Sequence, residues 1–366
     1  MARKLRSDWI LFGATFALVF ASVVMVYSAS AVLALERYRQ PYLFLFKQVA
    51  FAALGLLVVR FLMRVDYRHY RQPVVIWGML GVVSAALVFV LFGPTINGTR
   101  RWFGVAGIGV QPSELAKIVA IVFTAAILER RMERINDWKY ALAPIGLVTG
   151  ALAGLIVLEP DFGTAVSLVA TVAVMVFCAG VSYRYVALAV AAAVPLVAVA
   201  VIAAPYRLQR ILTFLDPWKD QQGAGFQIIQ SLIAVGSGGL TGRGVMAGVQ
   251  KMFYLPEPHT DFIYAVIAEE LGLLGATFIV ICFCVIAWRG LVASLRAPDR
   301  FGAFLALGLT TMIALQAFVN ISVVLGLMPT KGIPLPFVSA GGSSLLINLV
   351  AMGVLLNISQ HASART

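Results

Sequence analysis

Charge is scarce in this chain. Only 12% of its 366 residues are Asp, Glu, Lys or Arg, and 61% are hydrophobic; an ordinary soluble domain is about 25% charged. That shortage excludes a cytosolic globular fold, and the high apolar content excludes a disordered chain. Cysteine is nearly absent as well. Cys178, Cys282 and Cys284 all lie in apolar runs, without metal-ligand spacing, so neither a disulfide framework nor a zinc site follows. Soluble domains, low-complexity tracts and clear internal repeats are also missing, which leaves one membrane domain over residues 1–366. The apolar runs do not alternate with polar residues, and this excludes an outer-membrane barrel.

What is present is a series of runs long enough for helices of about 20 apolar residues. Ten qualify, near 9–29, 42–62, 73–92, 112–128, 140–158, 162–181, 185–204, 261–287, 301–328 and 341–359. The expected fold is therefore all-α and polytopic, with about ten transmembrane helices and a long outer loop, 205–260, between the seventh and eighth. The first run is long and lacks a convincing cleavage site, so it reads as a span rather than a signal peptide.

Lys and Arg set the orientation. With the N-terminus inside, the inner segments hold 16 basic residues, Arg3, Lys4, Arg6 and Arg365 among them, whereas the short outer loops hold only Arg37, Arg39, Arg100, Arg101 and Lys331. Both termini are thus expected in the cytoplasm. Of the net charge of +12, the inner segments account for +10. The excess is an orientation signal and does not point to nucleic acid.

Ionisable groups near spans are costly and need a reason. Gln111-Pro112-Ser113-Glu114-Leu115-Ala116-Lys117 opens the fourth span with proline in its first turn, and Glu114 sits where the helix dipole favours a carboxylate. Glu114 and Lys117 pair at i,i+3, but Lys117 lies a full turn inside the apolar run, which favours a functional role. Glu159-Pro160-Asp161 joins the fifth and sixth spans, where Asp161 is a ready helix cap. Arg207, Arg210, Asp216 and Lys219 are ordinary for a solvated loop. The stretch from Gly236 to Gly244 fits either a plain turn or a backbone that approaches an anion, and matches no P-loop spacing.

Pro256-Glu257-Pro258-His259-Thr260-Asp261 leads into the eighth span. Projected at 100° per residue, Ala265, Ala268, Gly272 and Gly275 follow the direction of Asp261, a stripe suited to close packing or to the floor of a cavity. Glu269 and Glu270 diverge too far to share one partner. The alternation Glu257, His259, Asp261 is a weak metal pattern. Pro334-Leu335-Pro336 through Gly341-Gly342-Ser343-Ser344 breaks the helix before the tenth span, and broken backbone at membrane depth belongs beside a cavity or buried in protein.

These motifs together resemble the SEDS family (shape, elongation, division and sporulation). The resemblance rests on Arg101-Trp102, the Gln111–Lys117 run, Glu159-Pro160-Asp161-Phe162-Gly163-Thr164 and Gly225-Phe226-Gln227. It rests equally on His259-Thr260-Asp261-Phe262, Ala268-Glu269-Glu270-Leu271-Gly272, and the Pro334–Ser344 loop, and it covers nearly the whole chain. Within the family the short termini are more similar to the elongation branch, RodA, than to FtsW.

The resemblance implies a peptidoglycan glycosyltransferase of the bacterial cytoplasmic (inner) membrane. It would polymerise lipid II, an undecaprenyl-pyrophosphate disaccharide-pentapeptide, alongside a class B penicillin-binding protein. The family's catalytic carboxylate maps onto Asp261. One general base suffices for a 4-hydroxyl attacking an anomeric carbon, while the departing pyrophosphate needs positive charge or a divalent cation, Mg or Mn. Lys117, Arg101 and Arg210 are expected near it, with Glu114 and Asp161 holding the cations in place or helping to coordinate a metal, and Trp102, His259 and Ser343 completing the substrate site. No nucleotide or organic cofactor is expected. The main rival is a flippase for the same lipid, since buried ions and broken backbone also suit transport.

Overall fold

The first helix, α1 (Trp9–Tyr38), begins where the Asp8 carboxylate accepts from the backbone N–H groups of Ile10 and Leu11, each at 3.1 Å. Next come α2 (Leu43–Leu62), α3 (Pro73–Leu91), a short antiparallel hairpin of β1 (Phe103–Val105) and β2 (Ile108–Val110), and α4 (Pro112–Arg131). The chain continues through α5 (Ala143–Leu158), α6 (Phe162–Cys178), α7 (Tyr183–Ile202), α8 (Pro205–Leu215) and α9 (Phe226–Ser237). It closes with α10 (Ile263–Leu295), α11 (Arg300–Val324) and α12 (Gly342–His361). This computed structural model describes residues 7–93, 100–105, 108–252 and 254–361; Arg3, Lys4, Arg6 and Arg365, which weigh in the orientation argument, lie outside them.

Each expected span coincides with a helix. Among the described residues, eight helices are long and apolar enough to cross a membrane. The other two expected spans are α6, of 17 residues, and α4, which carries the buried charges Glu114 and Lys117. α4, α11 and α12 form the interior and are buried along most of their lengths, whereas α7 has no buried residue and leans on α8.

Two sets of polar contacts mark the ends of the bundle. At the end holding the start of α1, Asp8 receives Arg289 at 2.6 Å, Tyr67 Oη donates to Asp299 at 2.6 Å, and Asn357 accepts from the Tyr67 N–H at 3.0 Å. At the opposite end lie the hairpin, α8, α9 and the 254–261 and 330–341 loops.

Three expectations are corrected. The segment 205–260 is not an open loop, because Leu208, Ile211, Leu212 and Leu215 give α8 an apolar face and α9 buries Ile228, Ile229 and Ala234. α1 runs nine residues past its apolar stretch, to a left-handed cap at Arg39. Asp261 precedes α10 in a turn, and α10 breaks at Gly272 (φ 66°, ψ −164°), so the projected stripe does not continue to Gly275.

The break explains the glycine-rich stretch. It frees backbone groups inside a long apolar helix, where unpaired N–H and C=O groups are costly. The N–H groups of Leu273 and Leu274 donate to the carbonyls of Gly239 and Leu240 at 2.9 and 3.2 Å. In return, Arg243 and Gly244 donate to the carbonyls of Glu269 and Glu270, both at 3.0 Å. The two backbones approach so closely that a Cβ on Gly272 would lie 2.3 Å from the Gly242 nitrogen, and one on Gly242 would lie 2.1 Å from the Glu270 carbonyl oxygen. Only glycine fits at either position.

The paired carboxylates fasten the same loop and have separate partners, as their spacing requires. Glu269 accepts from the N–H of Val249 at 2.8 Å, while Glu270 accepts from Ser28 Oγ at 2.6 Å, the Met246 N–H at 3.0 Å and Lys251 Nζ at 2.6 Å. Lys251 and Glu270 are both buried. Removing one partner strands the other charge, so Lys251→Met is expected to cost about 3–5 kcal/mol. The combined Lys251→Met/Glu270→Gln is expected to recover part of that loss. Thermal unfolding in detergent, read alongside proteolysis within 238–252, checks this; a double variant no more stable than the single one would count against the latch.

Candidate functional site

The end opposite the N-terminus gathers most of the costly charges. Asp161 caps α6, accepting from the Thr164 N–H at 3.1 Å and from Thr164 Oγ1 at 2.8 Å. The cap is also a bridge. Gln111 Nε2 donates to Oδ2 at 2.9 Å, and Arg101 approaches the same oxygen at 4.0 Å. Trp102 steadies this stretch by packing on the hairpin, where a Cβ on Gly109 would lie 3.1 Å from its ring.

Arg207 and Lys331 flank the Phe162 ring, at 4.9 and 5.5 Å from its centroid. Lys331 lies over Gly163, where a Cβ would collide with its stem, and Arg210 donates to the Thr330 carbonyl at 3.4 Å. Burial pushes the Lys331 ammonium down to about 8, with Arg210 and Arg207 adding to the effect and Asp161 opposing it. Four cationic side chains from three chain segments, with Arg207 and Arg210 both on α8, thus gather near one carboxylate.

Asp261 joins this group. Its carboxylate lies against Gly332, where a Cβ would stand 2.6 Å from Oδ2, and its carbonyl accepts from Asn320 Nδ2 at 2.8 Å. Asn320 also holds the Ile333 carbonyl at 2.7 Å, so one amide on α11 spaces the 261 and 333 segments. Ser339 Oγ donates to the Thr260 carbonyl at 2.5 Å, and the Ala340 N–H donates to that of His259 at 2.9 Å. Burial pushes the Asp261 carboxyl up to about 6; Glu257 and Asp161 raise it further, and Arg101 and Arg210 pull it back. Such a group is ionised at neutral pH yet basic enough to accept a proton.

Glu114 and Lys117 form a separate, buried pair at 2.9 Å. The Lys117 ammonium also donates to Gln316 Oε1 at 2.9 Å, and Gln316 Nε2 donates to the Pro334 carbonyl at 3.0 Å. The lysine is therefore committed inward, bracing α4 and α11 against the 334 loop. This differs from the expected place beside Arg101 and Arg210.

His259 turns the other way, with its ring 4.9 Å from that of Phe44, and Ser343 is buried in the first turn of α12 with no partner for its hydroxyl among the described residues. The structure thus brings Arg101, Asp161, Arg210 and Asp261 together and leaves His259 and Ser343 to a neighbouring region.

Several residues were not singled out from sequence. Gln316 and Asn320, two amides one turn apart in an apolar span, were a readable signal. Lys331 had none, since it reads as one loop charge among others. Glu159, read from sequence only as part of the turn with Pro160 and Asp161, is fully buried with no partner among the described residues for either carboxylate oxygen, and burial next to Asp161 pushes it up to about 8. Among the described residues, no three His, Cys, Asp or Glu side chains converge as metal ligands; His259 faces Phe44, away from Asp261.

Comparison with known proteins adds family context. The family model for FtsW, RodA and SpoVE, described as cell cycle protein, matches residues 8–364. Stage V sporulation protein E of Bacillus subtilis is 43% identical over 98% of this chain and 99% of its own length. The probable peptidoglycan glycosyltransferase FtsW of Geobacter metallireducens is 41% identical over 97% and 95%. Among solved structures, a chain from a peptidoglycan synthase complex aligns with a TM-score of 0.80 at 32% identity, covering 97% of this chain and 98% of its own. The rod shape determining protein RodA of Thermus thermophilus aligns at 0.71 and 29%, covering 97% of each chain.

The site makes a pH prediction of its own. Carbodiimide coupling, which requires a protonated carboxyl, is expected at Asp261 below a midpoint near pH 6 and to fade above it. Arg210→Ala removes a cation that favours the carboxylate, so the midpoint moves up; Glu257→Gln moves it down. Peptide mass spectrometry across pH checks both shifts, and a midpoint near 4 that ignores Arg210 would contradict the arrangement.

Proposed function

The chain belongs to the FtsW, RodA and SpoVE family of cell cycle proteins, and on that premise we propose that it is a peptidoglycan glycosyltransferase. It polymerises lipid II into glycan strands on the outer face of the bacterial cytoplasmic (inner) membrane, with both termini in the cytoplasm. The observation that carries the reading is Asp261, a carboxylate raised to about 6 beside Arg101 and Arg210. Base and anion-binding groups are then adjacent, as transfer from a pyrophosphate requires.

In this mechanism Asp261 takes the proton of the acceptor sugar's 4-hydroxyl as its oxygen attacks the donor's anomeric carbon. The bond from that carbon to the pyrophosphate oxygen breaks, and undecaprenyl pyrophosphate leaves against Arg101, Arg207, Arg210 and Lys331. A leaving group this good needs no strong acid, so the second carboxylic acid of a glycosidase is dispensable. Asp161 holds Arg101 in place. Lys117, with Glu114 and Gln316, positions the 334 loop and thereby Asp261. Among the described residues no three His, Cys, Asp or Glu side chains converge on a site for Mg or Mn, and no step here runs through a metal.

A class B penicillin-binding protein is the proposed partner, supported by the likeness to a chain of a peptidoglycan synthase complex. A role in cell elongation is the finer part of the proposal. Likeness to a rod shape protein supports it, and higher identity to sporulation and division relatives weighs against it.

The test is polymer formation from lipid II by the purified chain with its transpeptidase partner. Wild type is expected to make glycan, and Asp261→Asn to lose about a hundredfold or more, the usual worth of a general base. Equal polymer from both would remove Asp261 from the mechanism. Lipid movement across vesicles without polymer would favour the flippase. Lys117→Ala is expected to lose turnover while keeping partner binding, and full activity would leave the lysine a purely structural role.

A further inference from the structure

A solvated loop turns its polar side chains outward, and the stretch 244–252 does the reverse. Its outward side chains are Val245, Met246, Ala247, Val249 and Met252, all exposed. Its one charge, Lys251, points inward to Glu270 and Ser28. Arg243, just before the stretch, approaches Glu269 at 4.0 Å and has a stem long enough to reach lipid headgroups. The apolar surface continues onto α10. Leu240, 71% exposed, meets α10 at Leu274, itself exposed, and Phe278 and Ile281 extend the same helix face. A patch of this kind marks a contact with something apolar.

The backbone carries a second, independent sign. Gly244, Met246, Ala247, Val249, Gln250 and Met252 all donate their N–H groups within the protein. Three of these bonds go to the buried carboxylates of Glu269 and Glu270. A loop in water could leave such groups to solvent. Irregular backbone at membrane depth cannot, and must be satisfied by the protein itself.

Two helices measure the height of the stretch above the far end of the bundle, where Asp8 pairs with Arg289. At about 1.5 Å per residue, Ser28 stands about 30 Å above Asp8 along α1, and Glu270 about 28 Å above Arg289 along α10. Both contact Lys251, and the two heights agree. Leu240, level with Leu274, is lower still, at about 22 Å. A hydrocarbon core is about 30 Å thick, so the stretch lies within its upper edge. A protein partner bound above the membrane would not reach Leu240, whereas lipid chains do. We propose that residues 244–252 are a re-entrant segment seated among the lipid chains of the leaflet on the Asp261 side. Leu255, whose N–H donates to the Gln250 carbonyl at 2.8 Å, passes this fixed height to the turn that ends at Asp261. The proposal needs only the membrane fold and is independent of the glycosyltransferase reading.

Wild-type protein in liposomes of phosphatidylethanolamine and phosphatidylglycerol, doped with a phospholipid bearing a mid-chain diazirine, tests it. After illumination, peptide mass spectrometry is expected to find lipid adducts on 244–252 and at Phe278 and Ile281, with none on 216–222. Adducts at Phe278 without any on 244–252 would overturn the proposal. Adducts on 244–252 that vanish when the transpeptidase partner binds would assign the surface to a protein instead. Val245→Asp gives a second measurement, because a carboxylate among lipid chains is costly. It is expected to melt earlier than wild type in liposomes, while Val245→Leu melts with it. On a water-facing loop the same change would be nearly neutral, so an unchanged melting point for Val245→Asp would also overturn the segment.

Discussion

A broken helix that must still satisfy its backbone governs this architecture. α10 is interrupted at Gly272, and the glycine-rich stretch after α9 lends carbonyls to Leu273 and Leu274 while taking up those of Glu269 and Glu270. In an apolar setting each unpaired group costs several kcal/mol, so helix and loop are stable only together. The exchange fixes the turns that precede α10, and Asp261 sits at their end.

Around that anchor, charge is distributed by depth. The deepest pair, Lys251 with Glu270, is structural, and Glu114 with Lys117 links α4 to the 334 loop through Gln316. At the end of the bundle that holds Asp261, cations outnumber their partners, with Arg101, Arg207, Arg210 and Lys331 gathered near Asp161. Asp261 stands beside this excess, raised by burial and restrained by two arginines. A carboxylate buried without those cations would titrate higher and be less ionised at neutral pH, hence less available as a base. An exposed one would be too weakly basic. The site depends on the balance between the two effects.

The helical spans were legible because apolar runs of that length have one reading. Their ends were less so. α1 outlasts its apolar stretch, and a break such as that at Gly272 leaves no periodic mark. Asp161 was read both as a cap and as an ion-holder; its Oδ1 accepts from the Thr164 N–H, while Oδ2 meets the Thr164 hydroxyl, Gln111 and Arg101. Lys117 was singled out by its depth, but its direction was not legible, because its main partner besides Glu114 is Gln316, 199 residues away in sequence. Lys331 and Asn320 owe their importance to loop packing that no local pattern encodes.

The claim on which the account turns is that one carboxylate, tuned by two arginines, takes the proton in glycosyl transfer. The pH dependence of kcat/KM for lipid II polymerisation tests it most directly. The account predicts a rise through a single ionisation near pH 6 that moves upward in Arg210→Ala and is absent from the residual rate of Asp261→Asn. A profile flat from pH 5 to 8, or one whose midpoint is unchanged in Arg210→Ala, would contradict it.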